Sequence, residues 1–133
     1  MPEANLEIVR KAFGALIERG PEGLMDYVAP DGVAYTASEW VDGSEHRGHD
    51  GLRFLLSAWT ENFDDWAVRD FELREAGDSV VALFEHGGRV RATETTISQR
   101  MGAVFSDFRD GRIGQARFFQ TWREALDAAG LSE

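Results

Sequence analysis

The sequence predicts an α+β fold, with helices gathered on one face of a curved sheet. Three observations point there. Apolar residues recur at helical spacing in the first half of the chain, at Leu6, Val9, Phe13, Leu16 and Ile17 and again at Leu52, Leu55, Leu56, Trp59 and Phe63. From about Trp66 to Thr121 the pattern changes to strands separated by turn residues. Those turns are short, which makes successive strands antiparallel neighbours. Helices first and strands later are the mark of α+β packing.

Each element has its own justification. The first helix is amphipathic, with Glu7, Arg10, Lys11 and Glu18 between its apolar positions. It ends near Arg19-Gly20-Pro21, where glycine suits a left-handed cap and proline can open the next helix. A second, short helix is expected from Pro21 to Ala29, broken by Pro30-Asp31-Gly32. Val33 to Ala37 is expected as a strand, followed by a loop through Trp40-Val41-Asp42-Gly43. A third helix opens near His49-Asp50, where the aspartate complements the helix dipole. Four strands follow, with turns at Ala76-Gly77-Asp78, Thr93-Glu94-Thr95 and Arg109-Asp110-Gly111. The stretch Val80–Phe84 is apolar on both faces, as a covered central strand must be. A last helix, Trp122 to Ala129, closes at Gly130. Such a sheet can curl into a half-open cone whose mouth and interior suit a ligand.

Composition limits the function. At 133 residues the chain reads as one domain spanning 1–133. Lys plus Arg number 14 against 24 Asp plus Glu, a net charge of −10, which repels phosphate backbones and anionic membrane surfaces. No nucleic-acid or membrane partner is therefore expected. The absence of cysteine removes disulfides, thiolate nucleophiles and thiolate metal sites. With no targeting segment and no long apolar run, the expected location is cytoplasmic.

Seven words are spread along this layout: Pro30-Asp31, Glu39-Trp40, Arg47-Gly48-His49-Asp50-Gly51-Leu52-Arg53, Phe63-Asp64-Asp65-Trp66, Ala76-Gly77-Asp78-Ser79-Val80-Val81, Asp110-Gly111-Arg112-Ile113 and Arg123 to Leu131. Together they resemble the SnoaL-like (polyketide-cyclase-like) group of the nuclear transport factor 2-like superfamily. The resemblance implies a conical α+β barrel of the nuclear transport factor 2-like or cystatin-like kind, its curved antiparallel sheet wrapped around N-terminal helices. It also implies a mostly apolar pocket, no metal, no organic cofactor and a homodimer. It does not imply one reaction, since its members include isomerases, cyclases, epoxide hydrolases and non-catalytic binders.

The family's known acid/base sets are not matched. The positions similar to those of the steroid isomerases hold Phe13 for the tyrosine, Thr36 for the base and Ala103 for the acid. The cyclase aspartate falls near Phe118, and its histidine again near Ala103. Glu85, Arg100 and Arg117 imitate only part of the epoxide hydrolase set. What remains is an aromatic pocket with a few polar groups. Its candidate lining is Tyr27, Tyr35, Trp40, Trp59, Phe63, Gln99, Met101, Ala103, Phe118 and Gln120. Glu85 and His86 are adjacent on a strand, so at most one faces inward. That one is the candidate catalytic group, a proton-transfer residue in an apolar cavity. The ligand expected is a small apolar molecule. The alternatives are a binding module without chemistry, or a structural dimer.

Other features carry simpler readings. His46 and His49 among Asp42, Glu45 and Asp50 match no metal motif and read as a polar loop entering a helix. Gly87-Gly88 reads as a bulge or close approach in a bent strand. Val104 and Phe119 are expected on the outer sheet face, where they motivate dimerisation.

Overall fold

A computed structural model describes residues 2–36 and 45–131. The elements run α1 (Pro2–Arg19), α2 (Pro21–Leu24), a 3₁₀ turn (Met25–Tyr27), β1 (Val28–Tyr35), β2 (Glu45–Arg47), α3 (Gly48–Thr60), β3 (Ala67–Ala76), β4 (Ser79–Arg89), β5 (Thr96–Ser106), β6 (Ile113–Phe119) and α4 (Trp122–Ala128). The strands form one six-stranded sheet in the order β2-β1-β6-β5-β4-β3. This is an α+β fold whose sheet stays open, with β2 and β3 as its edges.

The sheet is mixed rather than wholly antiparallel. β3, β4, β5 and β6 form the expected meander, but β1 pairs with β6 in parallel. Two chain-distant strands lying side by side are not bound by hairpin geometry, so their direction was not written in any turn. The short edge strand β2 pairs antiparallel with β1 and was not foreseen, since three residues give no periodicity to read.

The second helix is shorter than expected. After one turn from Pro21 the chain tightens into the 3₁₀ turn and then extends at Val28. Pro30-Asp31-Gly32 does not break a helix; it lies within β1, where the pairing to β6 shifts register between Val28 and Val33. A proline is tolerated at such an irregularity because no ladder bond is asked of its nitrogen.

Two cores lie on the two sheet faces. On one face α1 and α3 cover Val80, Ala82 and Phe84 of β4, with Met101, Ala103 and Phe105 of β5 and Ala116 and Phe118 of β6. On the other face α4 covers Val81, Leu83 and Val104 with Ala125 and Leu126. β4 is therefore apolar on both faces because both are covered. Val104, expected to be exposed, is buried under α4. That helix starts cleanly because Thr121 caps it: its Oγ1 accepts from the Glu124 N–H at 3.1 Å and donates to the Glu124 carboxylate at 3.0 Å. It sits close to the sheet at Gly102, where a Cβ would overlap the Ala125 side chain.

Candidate functional site

Alternation along β4 decides the orientation of the two candidate proton-transfer residues. Val80, Ala82, Phe84 and His86 share the face under α1 and α3, while Val81, Leu83 and Glu85 share the face toward α4. His86 points inward and is 6% exposed. Glu85 is on the other face, in register with Arg100.

His86 stands at the inner end of an open recess of about 530 Å³. Its lining comprises Trp59 from α3, His86 from β4, Gln99, Arg100 and Met101 from β5, and Gln120 just after β6. Met101 and His86 are buried, Trp59 is half-buried, and Gln99, Arg100 and Gln120 form an exposed rim. The Arg100 guanidinium lies over the Trp122 ring, 4.7 Å from its centre, a favourable cation–π arrangement at the edge of the recess.

The environment of His86 fixes its chemistry. The indole N–H of Trp66 donates to Nδ1 at 3.0 Å. Nδ1 is thus an acceptor, and a neutral ring must then carry its proton on Nε2. Aromatic rings surround the imidazole: Trp59, Trp66 and Phe84 all lie about 6 Å from it, centre to centre. Burial in this shell pushes its pKa below the usual histidine value. Protonating Nδ1 would also set two N–H groups against each other. His86 is therefore a neutral donor through Nε2 at neutral pH.

The local backbone is arranged around it. A bulge at Arg69 lets Val68 pair with His86 while Asp70 pairs with Glu85. Gly87 follows with φ 155°, and a Cβ there would overlap the Ile97 carbonyl oxygen of β5. Next to it, Asp65 accepts from the Arg89 N–H at 2.6 Å and lies against Gly88. The two glycines allow β4 to bend here, the close approach expected of this pair.

The other predicted lining residues are distributed as follows. Trp59, Gln99, Met101 and Gln120 come together around His86. Phe118 and Ala103 lie deeper: Ala103 is 0% exposed, and Phe118 pairs with it across the strands. Tyr27 packs against the edge of the main core. Tyr35 lies on the opposite face of β1 from the buried Ala34, in register with Arg117. Phe63 bridges to Val90 and borders separate surface recesses with Ile17 and Ile97. Trp40 lies outside the described residues. Sequence reasoning missed Trp66 and Arg100 as site residues. The aromatic next to an aspartate pair gave no signal, because its indole reaches His86 only once β3 and β4 are paired.

His46 is not in the polar loop expected of it: it lies in β2, buried, its ring 6.1 Å from that of Phe54 and its Nε2 without a hydrogen-bond partner among the described residues. His49 Nε2 lies 2.8 Å from the Val28 carbonyl oxygen, and Arg53 bridges Glu22 and Asp50. Arg89 and Arg91 meet Asp64, and Arg109 meets Asp31 and Asp107. These exposed pairs add little stability each. Among the described residues no group of three or more His, Asp or Glu side chains is placed to hold a metal ion, and no helix is long and apolar enough to cross a membrane.

Comparisons with known proteins agree on architecture. The family model described as "SnoaL-like domain" matches residues 9–116. A putative polyketide cyclase from Xanthomonas campestris superposes with a TM-score of 0.74 at 17% identity, covering 96% of this chain and 98% of that one. A nuclear transport factor 2-like protein from Burkholderia xenovorans gives 0.68 at 24% identity, covering 97% of each chain. TerC, co-crystallised with polyporic acid, gives 0.72 at 18% identity, covering 93% of this chain and 98% of that one. No curated protein matches the sequence.

Proposed function

Because this chain belongs to the SnoaL-like domain family, we propose that its recess holds a small, ring-bearing, largely apolar molecule by a carbonyl or hydroxyl oxygen. The ring lies between Trp59 and Met101, and the oxygen accepts from Nε2–H of His86. Gln99 and Gln120 supply adaptable donors and acceptors at the rim. A similar fold that was co-crystallised with polyporic acid supports a small-molecule ligand.

One observation carries the reading: Trp66 occupies Nδ1, so His86 donates rather than accepts. Its role is to hold, and in a reaction to polarise, an oxygen that gains electron density. In an isomerase-type reaction a solvent base at the open mouth would take a C–H proton, the C–H electron pair forming a C=C bond while the carbonyl π pair moves onto the oxygen facing Nε2. Water would then return a proton to a different carbon as the C=O bond re-forms.

Calorimetric titration with 2-hydroxy-1,4-naphthoquinone tests it. Binding should weaken about tenfold in His86→Leu, the worth of one hydrogen bond in a buried setting. His86→Gln, whose amide can still donate, should recover part of that loss. Equal affinity in all three proteins would overturn the assignment. A second reading, a binding module without chemistry, is favoured by the absence of any carboxylate among the described lining residues. Recovery of the unchanged probe after long incubation with stoichiometric protein supports it; a new product rejects it.

A further inference from the structure

The interior between the helices and the sheet is divided into two compartments. Beyond the recess lies a small, largely apolar cavity of about 30 Å³, lined by Leu24, Val33, Leu52, Phe105, Ala116 and Phe118 among others. Three elements run continuously from one compartment to the other. On β6 the inward residues are Ala116 in the cavity, Phe118, and then Gln120 in the recess. On β5 they are Phe105 in the cavity, Ala103, and Met101 in the recess. On α3, Leu52 borders the cavity and Trp59 the recess.

At the crossing point stand two rings. Trp59 and Phe118 meet edge to face, with centres 5.0 Å apart and planes at 87°. Phe118 also meets Phe105 edge to face at 6.4 Å. Opposite Phe118 on β5 is Ala103, whose small side chain leaves room for the ring to lie across the interior. The remaining cavity is about the size of one water and is apolar, so it has no use as a polar site.

From this geometry we infer that Phe118 is a specificity-determining residue: with Trp59 it forms a septum that limits ligand depth. The recess therefore accepts compact ring molecules and rejects those carrying an inward alkyl tail. The inference rests on the recess being the binding site. It adds that the length limit is set by this ring pair, of which Phe118 is the member between the two compartments, rather than by the size of the fold. Removing the Phe118 ring would join the recess to the Leu52 cavity and admit a tail.

The test uses two probe series on the full chain. The first is 2-hydroxy-1,4-naphthoquinone and its 3-alkyl derivatives from methyl to hexyl, titrated into wild type, Phe118→Ala and Phe118→Leu. In wild type, affinity should fall or stay level as the tail grows. In the variants it should rise about fourfold per methylene over roughly the first three carbons, the gain from burying each group. Methyl NMR shifts of Leu52 and Leu24 should move only in the variants with tailed probes. Phe118→Leu keeps much of the apolar volume and serves if the alanine variant does not fold. The second series is n-alkylbenzenes, which need no hydrogen bond from His86. If the unsubstituted quinone does not bind wild type, the functional reading fails. The septum then stands or falls on whether alkylbenzenes shift the Leu52 methyls in the variants alone. Tail-induced Leu52 shifts already present in wild type, or no gain with tail length in folded variants, would overturn it.

Discussion

The two ends of one interior are built to different rules. At the Leu52 end the described lining is apolar but for Gln115, and the space left is about 30 Å³. At the His86 end β4 contributes a histidine, β5 an amide and a guanidinium, and the residue just after β6 a second amide, around about 530 Å³. Moving four residues, from Phe105 to Met101 on β5 or from Ala116 to Gln120 along β6, changes the interior from packed core to solvated recess. Packing density is thus a local property, and the fold does not have to be loosened to make a site. Close-packed interiors tolerate a recess where polar groups can keep water or a ligand as partner.

That contrast can be broken in several places. Leu52→Ala, at the packed end, should cost about 2–5 kcal/mol, because a cavity already present cannot collapse further. Urea denaturation of the variant against wild type measures it. At the recess end the largest cost should come from the backbone: Gly87→Ala should destabilise by about 2–3 kcal/mol, since its Cβ overlaps the Ile97 carbonyl oxygen and β4 and β5 must separate. Loss of the His86 amide's exchange protection would localise that effect. Trp66→Phe removes one hydrogen bond and should cost about 1 kcal/mol. It also leaves Nδ1 free to take a proton, so the His86 pKa should rise toward its ordinary value in an NMR titration.

The pH dependence follows from the same burial. Burial makes His86 in the folded chain titrate below the ordinary histidine value of about 6.5. As pH falls through about 6.5 the unfolded chain binds a proton that the folded chain does not, so stability declines there and is unaffected above. The decline should be shallower in His86→Gln when denaturation midpoints are compared from pH 8 to pH 5. The smallest effect belongs to the rim: Gln120→Ala should change stability by no more than about 0.5 kcal/mol. A cost comparable to Leu52→Ala would erase the distinction between the two ends.

Much of this was legible from residues alone. The apolar spacing of Leu52, Leu55 and Leu56 placed α3, and the turn at Ala76-Gly77-Asp78 placed the β3–β4 hairpin. The doubly apolar run Val80–Phe84 identified a strand covered on both faces. Local sequence carries such signals because they depend on near neighbours. The parallel partnership of β1 with β6 depends on no turn, and β2 is too short to show a period. The recess was half legible. Alternation put Gln99 with Met101 and left His86 and Glu85 on opposite faces, but which of them faced in depended on the helices' side of the sheet. Tyr35 shows the opposite case: alternation along β1 turns it away from Ala34, and that Ala34 rather than Tyr35 faces the core depended on the helices' side of the sheet.

The parallel pairing of β1 with β6 also has a consequence during synthesis. Val33 lies beside Gln115, so β1 can have no neighbour on that side until the residues through β6 have left the ribosome. Until then the nascent helices and β1 present an open strand edge, a template for wrong pairing. The exposed Asp31 and Pro30 on that strand, one charged and one without an N–H to donate, are suited to discourage such pairing while the chain waits.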